Sequence, residues 1–253
     1  MRFVDGSALD YRALQRTKGF SELAPELLKR LAAACTVRRV RARTVLDMHP
    51  GALILVRGAV RTVTLGKGRV RTVVGILSPG DMAFHCRAGI EFPVWREAVT
   101  DCVIATIDRE NFSGILLGIP WPTLEPAMDA LKGREWALLQ RYFSLFGQPL
   151  KSRMVETLLD LGHRFGIRDA RGTLIPIPIT TNDLAGLVGC SKRQTMEILD
   201  QLSKLKAVSR DGRRLILNSQ ILNRLSSELA QARPPGKSCA VPNSPFGDLR
   251  ATG

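Results

Sequence analysis

Residues 179–199 read ITTNDLAGLVGCSKRQTMEIL, and this stretch decides the fold of the C-terminal half. Two short apolar-periodic segments are divided by a turn signal at Gly189, and each carries its own helix-start signal. Thr180 has Asp183 three residues on, and Ser191 has Gln194 three residues on. That spacing lets each pair satisfy orphan helix N–H groups reciprocally, as a capping box. In the second segment Thr195, Ile198, Leu199, Leu202 and Leu205 form one face, and Lys192, Arg193, Met196, Glu197, Asp200 and Gln201 the other. The spacing predicts a helix-turn-helix whose second helix packs by the first face and presents the other.

A capped amphipathic helix with a solvated polar face does not by itself require a nucleic acid. Here residues 207–217, AVSRDGRRLIL, follow directly and read as two short strands about Asp211-Gly212, a wing carrying Arg210, Arg213 and Arg214. Helix-turn-helix and basic wing together point to double-stranded DNA. Lys192, Arg193 and Gln194 open the second helix at the end that enters the major groove, where Lys and Arg pair with guanine and Gln with adenine. The expected contact set is Thr180, Thr181, Ser191, Lys192, Arg193, Gln194, Glu197, Arg213 and Arg214.

Upstream, residues 19–34 place Leu23, Leu27, Leu28 and Leu31 at helical spacing after a Ser21 cap. The period then changes to two over 36–46. Residues 52–77 read as strand, glycine, strand, with a turn at Gly66-Lys67-Gly68. A further strand is expected at about 98–107 and a helix at 109–117. Several short strands flanked by helices describe a small β-barrel or jelly roll.

After Pro120, Pro122 and Pro126, the residues Leu124, Met128, Leu131, Glu135, Leu138, Tyr142 and Leu145 recur at alternating four and three spacing, which reads as a coiled-coil seam that wants a partner helix or, over only three heptads, as a stripe that packs on its own domain. Glu135 interrupts it as a register device or a point of ligand response. Another apolar-periodic helix covers 150–165, and 168–178 reads as a turn-rich connection with a short extended piece. The expected partition is an effector-type β-roll over 1–117, a dimerisation helix over 118–147, a winged helix-turn-helix over 148–231, and a disordered tail over 232–253.

The formal net charge of +14 favours a polyanionic partner, although the basic excess is spread over both halves of the chain. No long apolar run or signal peptide is present, which predicts a cytoplasmic protein without a membrane partner. Five scattered cysteines without a C-x-x-C pair suggest neither a disulfide framework nor a zinc knuckle. No H-E-x-x-H, P-loop or Ser/His/Asp constellation is found, and only three histidines exist, so no enzyme, metal or cofactor is assigned.

With these residues in hand, the chain resembles the Crp/Fnr superfamily, the family of the cyclic-AMP receptor protein. The resemblance runs from about Gly19 to Leu225 and rests on the 179–199 stretch, on Leu77-Ser78-Pro79-Gly80-Asp81, and on RMVETLL at 153–159. It implies an α+β fold: an N-terminal cyclic-nucleotide-binding-like β-roll, a long dimerisation helix and a C-terminal winged helix-turn-helix. It also implies a homodimer on an inverted repeat, with RNA polymerase as a further partner. The family's recognition helix opens Ser-Arg-Glu or Ser-Arg-Gln with a second Arg five residues on. Lys192, Arg193 and Glu197 stand at these positions, so another half-site sequence is expected.

Cyclic-nucleotide binders of the family follow the Pro-Gly-Asp turn with Gly-Glu and later with Arg-Ser-Ala or Arg-Thr-Ala. Here Phe84 and His85 take the first pair of positions, and Phe92 and Pro93 fall on Arg-Ser, side chains that cannot hold a phosphate. A second register sets Arg96-Glu97-Ala98 on the triplet and brings a carboxylate to the phosphate. Cyclic AMP is therefore not expected to bind in the usual manner, and the candidate effector pocket is Phe84, His85, Cys86, Arg96 and Glu135.

His85 and Cys86 stand where some relatives hold a haem, while a loop histidine and a small buried thiol explain them as well. The cysteine cluster of iron-sulfur relatives is missing. The run 37–43, VRRVRAR, reads as a solvated strand face, a contact to DNA flanks or a site for an acidic ligand. A ligand-gated regulator and an effector-independent DNA-binding regulator or architectural protein both remain open.

Overall fold

The computed structural model describes residues 9–17, 20–21, 23–46, 51–65, 70–84, 93–125 and 147–231. Outside them lie His85, Cys86, the Gly66-Lys67-Gly68 turn, the seam residues Met128, Leu131, Leu138, Tyr142 and Leu145, Glu135 between them, and the tail expected over 232–253.

Two helices, α1 (Tyr11–Gln15) and α2 (Pro25–Ala34), precede the strands. The start expected at Ser21 is replaced by Pro25 at the first helical turn, with Ala24 before it and no side-chain cap. The proline ring presets the helical φ and its missing N–H is one of the helix's orphan donors, so no hydroxyl cap is required there.

Eight strands follow: β1 (Thr36–Val40), β2 (Val45–Leu46), β3 (Gly51–Arg57), β4 (Val60–Leu65), β5 (Arg71–Leu77), β6 (Met82–Phe84), β7 (Val94–Ala98) and β8 (Cys102–Asp108). They form two four-stranded antiparallel sheets, ordered β1-β8-β3-β6 and β2-β7-β4-β5. Leu46, Leu53, Leu55, Val60, Leu77, Ala83, Ala98, Cys102 and Ile104 fill the space between the sheets.

The outer face of the first sheet, with Val37, Ala52, Ile54 and Ala105, packs with Leu14, Leu28 and Leu31 of the helices. Strand β3 is thus buried on both faces, which is why its sequence GALILVR is almost continuously apolar. The strand expected over 98–107 is interrupted. β7 ends at Ala98, and Thr100 and Asp101 turn the chain, their side chains accepting from the amides of Ala59 (3.0 Å) and Ala42 (2.8 Å).

Helix α3 (Arg109–Leu117) closes the barrel half, capped by Asp108. The second half holds α4 (Leu150–Phe165), β9 (Ile167–Asp169), β10 (Gly172–Ile175), α5 (Thr181–Val188), α6 (Lys192–Lys204), β11 (Val208–Asp211), β12 (Arg214–Leu217) and α7 (Ser219–Gln231). The connection over 168–178 contains two strands rather than one extended piece, and they widen the wing into the sheet β11-β12-β10-β9.

The halves share one apolar cluster. Ala59, Val63, Val73 and Ile76 of the barrel join Met154, Leu158, Leu184, Leu187, Ile198 and Leu202 in it, and α5 lies against β5. Polar contacts frame the seam. Arg164 on α4 reaches Asp81 (2.7 Å) and the carbonyl of Ile76. Arg61 on β4 bridges Glu97 on β7 (2.8 Å) and Asp183 on α5 (3.3 Å). Arg71 (2.6 Å) and the Trp95 indole N–H (2.8 Å) complete the ring around Glu97.

Burial alone would push the Glu97 carboxyl up, but hydrogen bonds from Arg71, Trp95 and Arg61 outweigh it and hold the group below its ordinary 4.5. A lowered carboxylate contributes stability that is fully present above the unfolded value and is lost as pH falls through the folded one. The stability advantage of wild type over Glu97→Gln, read from urea midpoints, is therefore expected to be constant from about pH 6 to about pH 5 and to shrink below about pH 4. An advantage that persists unchanged at about pH 3 would mean that Glu97 is not the titrating group.

Candidate nucleic-acid interface

Both capping boxes form as the spacing predicts. The Thr180 hydroxyl accepts from the Asp183 amide (3.1 Å) and the Asp183 carboxylate accepts from the Thr180 amide (2.9 Å). Ser191 and Gln194 repeat the pattern at 3.2 and 3.1 Å. Between the helices Gly189 lies in the left-handed region (φ 69°, ψ 50°), where a side chain would be strained. The Cys190 thiol meets the Thr195 hydroxyl (3.1 Å), which itself donates to the Ser191 carbonyl (3.0 Å). The turn is thereby fixed from both sides.

On α6, Thr195, Ile198 and Leu202 are buried and Leu199 is half-buried. Leu205 departs from the expected stripe and stands exposed, because α6 ends at Lys204 and Leu205 is its C-cap. The opposite face is free to meet a partner: Lys192, Arg193, Gln194, Met196, Glu197, Asp200 and Gln201 are all exposed. Arg193, its side chain 90% exposed, donates to Glu197 one turn on (2.9 Å). A surface pair of this kind is worth about 0.2–1 kcal/mol, little enough to be exchanged for a stronger acceptor.

The helix N-terminus that carries Lys192 and Arg193 also holds the positive end of the helix dipole. In the wing, Arg210, Arg213 and Arg214 are exposed about Gly212. The Arg213 carbonyl accepts from the Ile179 amide (3.2 Å) and Arg210 donates to the Thr181 hydroxyl (3.4 Å), tying the wing to the start of α5.

Sequence reasoning passed over Arg171. From the turn between β9 and β10 it holds Asp169 (3.0 Å) and Asp211 of the wing (2.9 Å), and these two hydrogen bonds raise its already high pKa. Its partner on the wing lies 40 residues away, so no local pattern could have shown the pair.

In the barrel, Arg96 is buried and donates to the Phe84 carbonyl (3.1 Å). The Phe84 ring itself packs on Phe112 of α3 (centroids 5.6 Å apart), on the helix-covered side of the sheet. Of the candidate pocket, the structure therefore brings together the Arg96 guanidinium and the Phe84 backbone, but not the Phe84 ring. Arg96 and Glu97 alternate on β7, and Glu97 faces the second half of the chain, away from the barrel interior. In the register that sets Arg96-Glu97-Ala98 on the family triplet, the carboxylate thus points away from the lumen.

Leu124 is half-buried against the α1–α2 cluster. Arg38, Arg39, Arg41 and Arg43 are all exposed. Burial pushes the Cys35 thiol up to about 11 and also raises that of Cys102.

The fold and this surface define a winged helix-turn-helix with an exposed basic face. Residues 152–225 match the family model described as the Crp-like helix-turn-helix domain. No curated protein matches the chain in sequence.

Solved structures do share its fold. FixK2 from Bradyrhizobium japonicum superposes with a TM-score of 0.62 at 20% identity, over 76% of this chain and 96% of that one. The c-di-GMP-responsive global regulator CLP from Xanthomonas campestris gives 0.60 at 22%, over 77% and 99%. A transcriptional regulator of the CRP/FNR family from Thermus thermophilus gives 0.59 at 22%, over 78% and 100%. Residues 152–225 thus carry a Crp-like helix-turn-helix domain, and the fold of the chain is that of these solved regulators.

Ser191→Ala and Thr180→Ala are each expected to lower stability by about 0.5–2 kcal/mol, since each leaves an N-terminal amide of its helix unsatisfied. Chemical denaturation followed by far-ultraviolet circular dichroism measures this. A loss below about 0.3 kcal/mol for both would show the boxes to be incidental.

Proposed function

We propose that this protein is a homodimeric, sequence-specific regulator that reads an inverted repeat in double-stranded DNA and does not respond to cyclic AMP in the superfamily's usual manner. The observation that carries the reading is the capped α6, whose exposed N-terminal cations stand beside a basic wing. Lys192, Arg193 and Gln194 read base edges or nearby phosphates. Thr180, Thr181, Ser191, Arg213 and Arg214 position the backbone, and Glu197 releases Arg193 to the DNA.

Residues 1–117 act as the sensing roll, 118–147 as the dimer helix and 148–231 as the reader. The dimer helix, through Leu124, Met128, Leu131, Leu138, Tyr142 and Leu145, sets the two recognition helices about 34 Å apart. The protein works in the cytoplasm as a regulator rather than an enzyme, with RNA polymerase as a further partner. No helix among the described residues is long and apolar enough to cross a membrane.

The buried Arg96 favours an anionic effector over none, and the Xanthomonas neighbour is one whose stated effector is not cyclic AMP. Such an effector acts only through its different affinity for two arrangements of the dimer.

Fluorescence anisotropy of the full chain, on the duplex upstream of its own reading frame and on a scrambled duplex, tests the reading at two salt concentrations. Preference for the first with a steep salt slope is expected, and equal weak binding to both argues against a reader active without effector. Arg193→Ala should reduce the preference by about tenfold, equivalent to about 1.4 kcal/mol, and lower scrambled-duplex affinity far less; a uniform loss would make Arg193 a phosphate contact. Charged residues in place of Leu138 and Tyr142 should yield monomers on sedimentation, and dimers that persist would remove the seam from the assembly.

A further inference from the structure

Strand β5 is the outer strand of the sheet β2-β7-β4-β5, and an outer strand presents unpaired backbone groups that must be covered. Here α5, the first helix of the helix-turn-helix, lies on it. The approach is close enough to exclude a side chain. A Cβ on Gly186 would stand 2.5 Å from the carbonyl oxygen and 2.7 Å from the amide nitrogen of Val73, both backbone atoms that cannot turn aside. Glycine is a poor choice for the middle of an eight-residue helix, and the contact with β5 accounts for it.

A second observation is independent of the first. Asp183 is the capping-box acid of α5 and is buried to 2% exposure, with its two carboxylate oxygens divided. Oδ2 accepts from the Thr180 amide and hydroxyl inside the helix-turn-helix, and Oδ1 accepts from Arg61 on the barrel. Arg61 also holds Glu97 through Nε and Nη2, and Glu97 is steadied by Arg71 and Trp95. Two guanidiniums and two carboxylates therefore close a charge-balanced cluster across the seam, beside the shared apolar residues Val63, Val73, Leu184 and Leu187. In this docked arrangement the polar face of α6 stays exposed, so docking leaves the reading face open.

We propose that Arg61 and Gly186 are positioning residues for DNA reading: they seat the first helix of the helix-turn-helix on the barrel's outer strand, so the barrel sets the direction of the recognition helix. The proposal deepens the DNA-reading function and rests on it for its second half only. A lysine at position 61 carries a single point charge in place of a planar fork and cannot serve Glu97 and Asp183 together.

Amide hydrogen exchange on the full chain tests the docking without DNA. In Gly186→Ala and in Arg61→Met, exchange over 71–77 and 181–188 should rise about tenfold or more while α7 and the barrel interior keep wild-type rates, since a lost contact opens its own neighbourhood first. The alanine favours the isolated helix, so faster exchange in α5 reports undocking rather than a weaker helix.

Binding to the upstream and scrambled duplexes then tests positioning. Both variants should lose about tenfold in preference with scrambled-duplex affinity kept, and Arg61→Lys should not restore it. Unchanged exchange in both variants overturns the docking, and faster exchange with an unchanged or increased preference overturns the positioning role. A wild type without preference for either duplex counts against the effector-free reading on which the positioning role rests, while the exchange result still decides the docking.

Discussion

A single continuous apolar cluster, running from Val63, Val73 and Ile76 on the barrel through Leu158 and Leu184 to Ile198 and Leu202, is the constraint on which the rest of this structure depends. Neither half could bury its share alone. The second sheet would expose its outer face, and α5 and α4 would expose apolar stripes, so the halves dock and the polar groups around the seam arrange themselves to suit. Burial of this kind is non-directional, which is why the charged ring of Arg61, Glu97, Asp183 and Arg71 matters: it supplies a register that apolar contact lacks.

The exposed basic surface of the helix-turn-helix and wing owes its form to local chemistry. Two reciprocal caps and one left-handed glycine fix the angle between α5 and α6 within a few residues of chain. The wing is tied to the same unit by the Ile179 amide and by Arg210. These constraints leave the cations of α6 and the wing at the surface, where counterion release makes them useful against a polyanion. The barrel uses its own cation differently. Arg96 is buried and donates to the Phe84 backbone carbonyl.

Neighbouring residues on one strand thus look in opposite directions: Arg96 into the barrel and Glu97 toward the helix-turn-helix. Alternation along β7 places a lumen-facing group and a seam-facing group one residue apart. A small displacement of that strand would be felt on both faces, which gives the barrel interior and the helix-turn-helix a short physical connection through Glu97, Arg61 and Asp183.

Most of what short-range chemistry carries was legible in the sequence. The helix-turn-helix, its caps at Thr180 and Ser191, the wing about Gly212, the exposed face of α6 and the mixed barrel-plus-helix order were legible because each depends on residues within one helical turn or one hairpin. The false cap at Ser21 arose where two local signals competed and Pro25 won by fixing φ. Phe84 was grouped with Arg96 from its place after the Pro79-Gly80-Asp81 turn, whereas the strand's alternation sends its ring outward to Phe112. Tertiary structure alone decided that Asp183 serves both a helix cap and a barrel arginine 122 residues away, that Arg171 braces the wing, and that Gly186 is a glycine because a strand backbone lies against it. Those facts join distant segments through contacts that no periodicity records, so they exist only once the chain has closed on itself.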